Sequence, residues 1–255
     1  MTQAANVPHH SSKAVGLTVH NGRLAWHDRV LFDGLTLDLP AASWTCLLGP
    51  SGIGKSMLLR LILGLDGSTG NPQMVTCSDG QPLDGRVAFM AQRDLLLPWL
   101  SVLDNVLIGS KLRNERQDPE QALQLLEATG LADVTDAMPD TLSGGMRQRV
   151  AIARTLMEDR PIVLMDEPFS ALDAITKIKL QALAAKLLSD RTVLLVTHDP
   201  LEALRLGHSI HVMRGSPAVL GAAIEPLNLP PRQLDDHGVL EHQGELLKQL
   251  AEATQ

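Results

Sequence analysis

Gly49-Pro50-Ser51-Gly52-Ile53-Gly54-Lys55-Ser56 follows the spacing G-x-x-x-x-G-K-[ST], and few octapeptides restrict a fold so tightly. The spacing works only between a buried strand and the start of a helix. There the glycines let backbone N–H groups turn inward around a phosphate chain, at the positive end of the helix. The flanks supply both elements. Ser43 to Leu48 reads as a short buried strand, and Met57 to Leu65 as an apolar helix. Lys55 adds a mobile positive charge for the terminal phosphates, and the Ser56 hydroxyl is placed to ligate Mg²⁺.

The rest of the 255-residue chain can build a core around that loop. Leu35 to Leu39 alternates strictly and, with Gly16 to His20, predicts an antiparallel β region ahead of the loop. Gly85 to Ala91 predicts a strand ending at Gln92. From Arg93 the pattern turns helical: Asp118 and Pro119 form an N-cap and first-turn pair, apolar positions recur at Ala122, Leu123, Leu126 and Thr129, and Gly130 stops the run. A further helix is expected from near Ser143. Strands return at Ile162 to Met165, Thr192 to Thr197 and Ile210 to Met213, with a helix over roughly Ala174 to Leu188. Strands alternating with helices predict a parallel sheet in an α/β core. The organisation expected is a loose tail over 1–14, a core over 15–225 with a mostly helical insertion at about 93–160, and a short helical extension over 226–255. Pro226, Pro230 and Pro231 mark the break before its helix, Val239 to Ala253.

Composition removes several function classes. The tail lacks the apolar centre of a secretory signal, and His9 and His10 within it read as tail rather than as a metal site. No stretch reaches the ~18 apolar residues of a membrane helix; the best, Leu95 to Gly109, is broken by Pro98, Asp104 and Asn105. A formal charge of −7 offers no basic field for nucleic acid. Cys46 and Cys77, the only cysteines, make no disulfide framework and fit a reducing compartment.

Two further segments carry chemistry. Ile162-Val163-Leu164-Met165-Asp166-Glu167 is an apolar strand ending in two carboxylates on opposite faces. Asp166 can hold hydrated Mg²⁺ against Ser56, leaving Glu167 to polarise a water for attack on a γ-phosphate. In Leu142-Ser143-Gly144-Gly145-Met146-Arg147-Gln148-Arg149, Ser143 is a good N-cap, and Gly144 and Gly145 leave the first N–H groups of a helix approachable. One phosphate loop already serves one nucleotide, so a second anion site of this kind points to a nucleotide held by a partner.

The string Leu-Ser-Gly-Gly-x-x-Gln-Arg, between a phosphate loop and a strand ending Asp-Glu-Pro, resembles the ATP-binding subunit of ABC transporters. The resemblance covers about Val15 to Gly221, with its elements in order: the loop, Gln92, Ser143-Gly144-Gly145, Asp166-Glu167, Ser170-Ala171-Leu172-Asp173 and His198. It implies a P-loop ATPase fold, RecA-like, and a head-to-tail homodimer with two ATPs sandwiched between its chains. Each ATP would touch Gly49, Pro50, Ser51, Gly52, Ile53, Gly54, Lys55, Ser56 and Met57 of one chain and Ser143, Gly144 and Gly145 of the other. Glu167 and His198 would serve hydrolysis with Lys55. Gln92 would reach Mg²⁺ and the attacking water, joining Ser56 and Asp166 as metal ligands, and Asp173 would cross the interface. Trp26, 29 residues before Lys55, resembles the position on which adenine stacks, and an indole face suits a purine. One departure matters: Met57 stands where the family usually has Thr, removing a hydroxyl that commonly supports the α-phosphate.

Leu95-Leu96-Leu97-Pro98-Trp99-Leu100-Ser101-Val102-Leu103-Asp104-Asn105-Val106 follows Gln92 closely and offers an apolar edge for a partner helix, while core packing of the insertion explains Leu103 and Val106 equally well. This segment resembles that of importers for nitrate, sulfonates, taurine and thiamin-precursor pyrimidines. That likeness implies an ATPase subunit on the cytoplasmic face of the cell membrane, bound to permease subunits and served by a solute-binding protein. An exporter ATPase of the same fold is the first alternative. A non-transport ATPase of DNA repair or translation is the second, opposed by the single phosphate loop and the absence of a long heptad run.

Overall fold

The computed structural model describes residues 14–27, 29–65 and 74–253. The expected tail, with His9 and His10, lies outside them apart from Ala14. The chain opens with β1 (Leu17–Trp26) and β2 (Arg29–Leu39), which pair antiparallel, and β1 also pairs antiparallel with β4 (Val75–Cys77). The alternation predicted for the end of β2 is observed: Leu35, Leu37 and Leu39 are buried while Thr36 and Asp38 face out. The first strand runs further than Gly16 to His20. Its register shifts between Val19 and Gly22, and the strand then continues to Trp26. A Cβ at Gly22 would meet the Leu35 carbonyl oxygen at 3.1 Å, a tight approach that glycine makes without displacing the neighbouring strand.

The second sheet is the predicted parallel core. Its order begins with β5 (Val87–Met90), β6 (Ile162–Asp166), β7 (Thr192–Val196), β3 (Trp44–Leu48) and β8 (Ser209–Arg214). A two-residue antiparallel strand, β9 (Val219–Leu220), completes it. The central strands are continuous apolar runs because both faces are covered. Cys46, Leu48, Val163, Met165, Val193 and Leu195 enter one core cluster, while Leu47, Ile162, Leu164, Leu194 and Val196 enter another. Helices α5 (Ala174–Leu187), α6 (Pro200–Leu206) and α7 (His237–Ala253) feed the first cluster. Helix α1 (Lys55–Ile62) and the antiparallel sheet feed the second.

Between β5 and β6 lie α2 (Val102–Leu112), α3 (Pro119–Ala128) and α4 (Gly144–Met157), which share a third apolar cluster. Asp118 caps α3 as expected, accepting from Gln121 N at 3.0 Å. The apolar stripe of α3 is offset from the predicted one. Ala122, Leu125, Leu126 and Thr129 are buried and Leu123 is 44% exposed, because the face turned to α4 is the i, i+3, i+4, i+7 set from Ala122.

This topology gathers the chemistry at one edge. Met90, Met165 and Leu195 sit in register across β5, β6 and β7, and Cys46 pairs with Leu195 on β3. The residues that follow these strands therefore emerge together at their carboxyl ends, where open α/β sheets place their ligands.

Candidate functional site

Helix α1 begins two residues before the predicted Met57, so Lys55 and Ser56 are its first helical residues rather than the last of a loop. Gly54 caps it in the left-handed region at φ 114°. Gly49, at φ 152°, passes so close to β8 that a Cβ would lie 2.7 Å from the Met213 carbonyl oxygen. The Lys55 Nζ donates to the carbonyl oxygens of Gly49 at 2.7 Å and Pro50 at 2.9 Å, so the loop is closed around its own lysine. Burial pulls the Lys55 ammonium below its usual range, and the carboxylates of Glu167 and Asp166 offset part of that.

Asp166 is the last residue of β6 and Glu167 follows it, and the two acids take different partners. Asp166 is buried and hydrogen-bonded to Ser56. Burial raises its carboxyl above the usual range against that hydrogen bond, with the Glu167 charge adding and Lys55 opposing. Glu167 keeps a strand bond, donating from its N–H to the Val196 carbonyl at 2.8 Å, and then turns left-handed at φ 49°. That turn carries its carboxylate across the strand ends. Gln92 Nε2 donates to Glu167 Oε2 at 3.3 Å, and His198 Nδ1 lies 3.1 Å from the same oxygen. Three side chains from three strand ends thus meet on one carboxylate oxygen.

Trp26, Leu31, Ser51, Gly52, Gly54, Lys55, Ser56, Met57, Gln92 and Glu167 line an open cleft of about 720 Å³. Trp26 is 48% exposed, and its ring makes a T-shaped contact with His27 at 5.2 Å and 76°, so much of the indole is open to a planar partner. Met57 also packs against the core below, which accounts for an apolar residue there.

Ser143, Gly144, Gly145 and Asp173 are not among the residues that line this cleft. Ser143 caps α4, accepting from Met146 N at 3.2 Å, so one of the N–H groups expected to be bare is engaged. A Cβ at Gly144 would meet the Arg147 guanidinium at 3.9 Å, an ordinary contact. A Cβ at Gly145 would come 3.3 Å from the Ala171 carbonyl oxygen, which brings the start of α4 against the Ser170–Asp173 loop. Asp173 caps α5, accepting from Thr176 N at 3.0 Å, and these bonds hold its carboxyl below the usual range.

Gln148 is a site residue that sequence reasoning passed over. It is buried, and its Nε2 donates to the Pro168 carbonyl at 2.8 Å and the Glu167 carbonyl at 3.3 Å, fixing the turn that aims Glu167. The signal was present, since a buried amide one turn into a helix needs partners, but sequence does not show which strand end supplies them.

Ser56 and Asp166 are hard oxygen donors already within hydrogen-bond reach of each other, and the Gln92 amide lines the same cleft. No group of three or more His, Cys, Asp or Glu forms a metal cluster among the described residues. That donor set suits Mg²⁺, which is held by one or two protein oxygens with substrate phosphates and waters rather than by an all-protein cage.

Comparison with known proteins identifies the family. Residues 32–170 match the family model described as "ABC transporter". The chain belongs to the ABC transporter family. It is 44% identical over 232 residues to an uncharacterized ABC transporter ATP-binding protein of Haemophilus influenzae, covering 89% of this chain and 95% of that one. It is 41% identical to an aliphatic sulfonates import ATP-binding protein of Mesorhizobium japonicum, over 81% of this chain and 78% of the relative. A bacterial ABC transporter cassette solved as a dimer superposes with a TM-score of 0.72 at 27% identity, over 85% of this chain and 99% of that one. This protein is accordingly an ATP-binding cassette with the α/β fold of the P-loop NTPases, and ATP binding belongs to that family.

Proposed function

We propose that this ABC cassette hydrolyses ATP to energise import of a small solute of the sulfonate type, as a head-to-tail homodimer on membrane permease subunits. The observation that carries the reading is the convergence of Gln92 and His198 on the Glu167 carboxylate, beside a phosphate loop whose cleft excludes the chain's own Ser143 and Gly145. A site with its water-polarising acid in place and its second anion contact facing elsewhere is half of a composite centre.

In this reading the N–H groups from Gly52 to Ser56 cradle the phosphates, and Lys55 leaves the Gly49 and Pro50 carbonyls to neutralise charge developing on the β- and γ-phosphates. Ser56 and Asp166, with Gln92, would hold Mg²⁺, which supplies charge neutralisation when bound. Glu167 accepts a hydrogen bond from the attacking water and draws its proton as the oxygen approaches phosphorus. His198 donates to the γ-phosphate, and Gln92 orders the water. Ser143 and Gly145 of a second copy close over the same nucleotide, and that copy's Asp173 approaches the loop. Adenine lies on Trp26. The exposed Leu95 and Trp99, 59% and 69% accessible, form the edge that a permease helix covers, while Leu96, Val102 and Val106 are core.

Import is favoured over export because relatives at 37% identity or better that cover most of the chain are named as sulfonate import proteins. Among the described residues no helix is long and apolar enough to cross a membrane, so in this reading the permease subunits hold the protein at the cytoplasmic face. The test is Glu167→Gln, which keeps the shape and loses the base. With ATP and Mg²⁺ the variant should elute as a stable dimer in size-exclusion chromatography and release no phosphate. A variant that stays monomeric, or that turns over like the parent, refutes the reading.

A further inference from the structure

His198 poses a mechanical problem. Its side chain is 60% exposed, so packing does little to fix the ring, yet Nδ1 is held 3.1 Å from Glu167 Oε2. Its aim must come from the backbone on either side, and both flanking residues are clamped. Thr197 is buried; its N–H donates to the Leu47 carbonyl at 3.1 Å, tying it to the strand before the phosphate loop. Its hydroxyl accepts from Asp199 N at 3.1 Å and donates to Glu202 Oε2, so both roles of that oxygen are used. Asp199 caps α6, its Oδ1 accepting from Leu201 N at 3.0 Å and Glu202 N at 3.3 Å.

The two acids then reach a second element. Lys177 Nζ donates to Asp199 Oδ2 at 2.7 Å, and Gln181 Nε2 donates to Glu202 Oε1 at 3.1 Å. Lys177 and Gln181 are one turn apart on α5, whose first turn is capped by Asp173. Arg205 Nη1 donates to Gln181 Oε1 at 3.2 Å and closes the set. Glu202 itself is 3% exposed, and no step of the hydrolysis described above uses it. A buried carboxylate with each oxygen accepting from a different element is a costly feature to keep for stability alone.

We propose that Glu202 is a positioning residue for His198: through Thr197 it fixes the histidine's backbone, and through Gln181 it makes that loop one rigid body with α5. Resting on the reading of His198 as a γ-phosphate ligand, this deepens it. Any shift of Asp173 at the start of α5 then moves His198 with it. The outer Lys177–Asp199 pair is partly exposed and contributes less than the buried link.

The test is a double-mutant cycle on the full-length chain, read by ATP turnover. Glu202→Ala should lower kcat by about ten- to a hundredfold, the cost of misplacing a catalytic group by about 1 Å. KM for ATP should change much less than kcat, because Lys55 and Trp26 are untouched and only the His198 contact to the γ-phosphate is misplaced. Glu202→Gln keeps the shape and one of the two acceptors, the one that takes the Thr197 hydroxyl, while turning a donor toward Gln181, and should restore part of the lost kcat. On a His198→Ala background, Glu202→Ala should cost nothing further. If the two losses multiply, Glu202 acts elsewhere and the inference fails; if His198→Ala alone leaves kcat intact, the underlying site reading fails instead. Should Glu202→Ala not fold, Thr197→Val removes the same link and enters the cycle in its place. Multiplicative losses with that variant overturn the proposal equally.

Discussion

Glu167 holds its backbone at φ 49°, a region that costs an L-residue with a Cβ roughly 1–2 kcal/mol and costs glycine nothing. The structure keeps it there by two kinds of bond: its N–H to Val196 O at 2.8 Å, and its carbonyl to Gln148 Nε2 at 3.3 Å and the Ser170 hydroxyl at 3.0 Å. The magnitude follows from comparing two truncations that both remove the carboxylate. Glu167→Ala keeps the Cβ and the strain. Glu167→Gly relieves the strain but adds about 0.5–1 kcal/mol of chain entropy to the unfolded state. The glycine variant should therefore be the more stable by about 0.75 kcal/mol on central values, within limits of about 0–1.5 kcal/mol, which for a chain of this size is a melting temperature higher by about 1.5–3 °C at the central value. Neither variant should hydrolyse ATP. Thermal unfolding of the two, followed by circular dichroism in one buffer, measures the difference directly. An alanine variant as stable as the glycine variant, or more so, would show that the turn after β6 is not strained, and the account of how Glu167 is aimed would fall.

Two other outcomes are expected. Gln148→Leu takes the Gln148 amide from the Pro168 carbonyl, while the Glu167 carbonyl keeps the Ser170 hydroxyl; at about 1–3 kcal/mol for a buried group left unpaired, the melting temperature should fall by several degrees and kcat should fall more than ATP affinity. Asp166→Asn tests the charge buried beside Ser56. Because burial raises the folded-state pKa, the ionised carboxylate destabilises the fold at pH values above it, and that penalty fades as pH drops and the acid takes up its proton. The nucleotide-free Asn variant should melt above the parent at pH 8, with a gain that shrinks toward acid pH, while its Mg²⁺-dependent turnover is lost. A gain that grows on acidification has the wrong sign for this argument.

The sequence by itself determined the local elements and most of the chemistry. Strand β3, its glycine turn and α1 are legible because one motif demands that order, and Asp118 and Ser143 start their helices where caps were expected. The parallel sheet followed from strands alternating with helices, and the apolar runs of its strands divide residue by residue between two cores. Boundaries slipped where side-chain type is silent. Lys55 and Ser56 are compatible with loop or helix until Gly54 turns left-handed, and Leu123 is as apolar as Leu125 until α4 selects a face.

Tertiary structure alone decided how residues far apart in the chain share atoms. Gln92, Glu167 and His198 meet on one oxygen because three strands end in register, a relation between β5, β6 and β7 that no local pattern encodes. Gln148 and Glu202 became visible for the same reason. Their value lies in which carbonyl or hydroxyl faces them, and pairing across about 20 residues or more is fixed by packing of the whole core, not by the propensities of either segment. Sequence chose the reactive groups; the folded sheet set their distances.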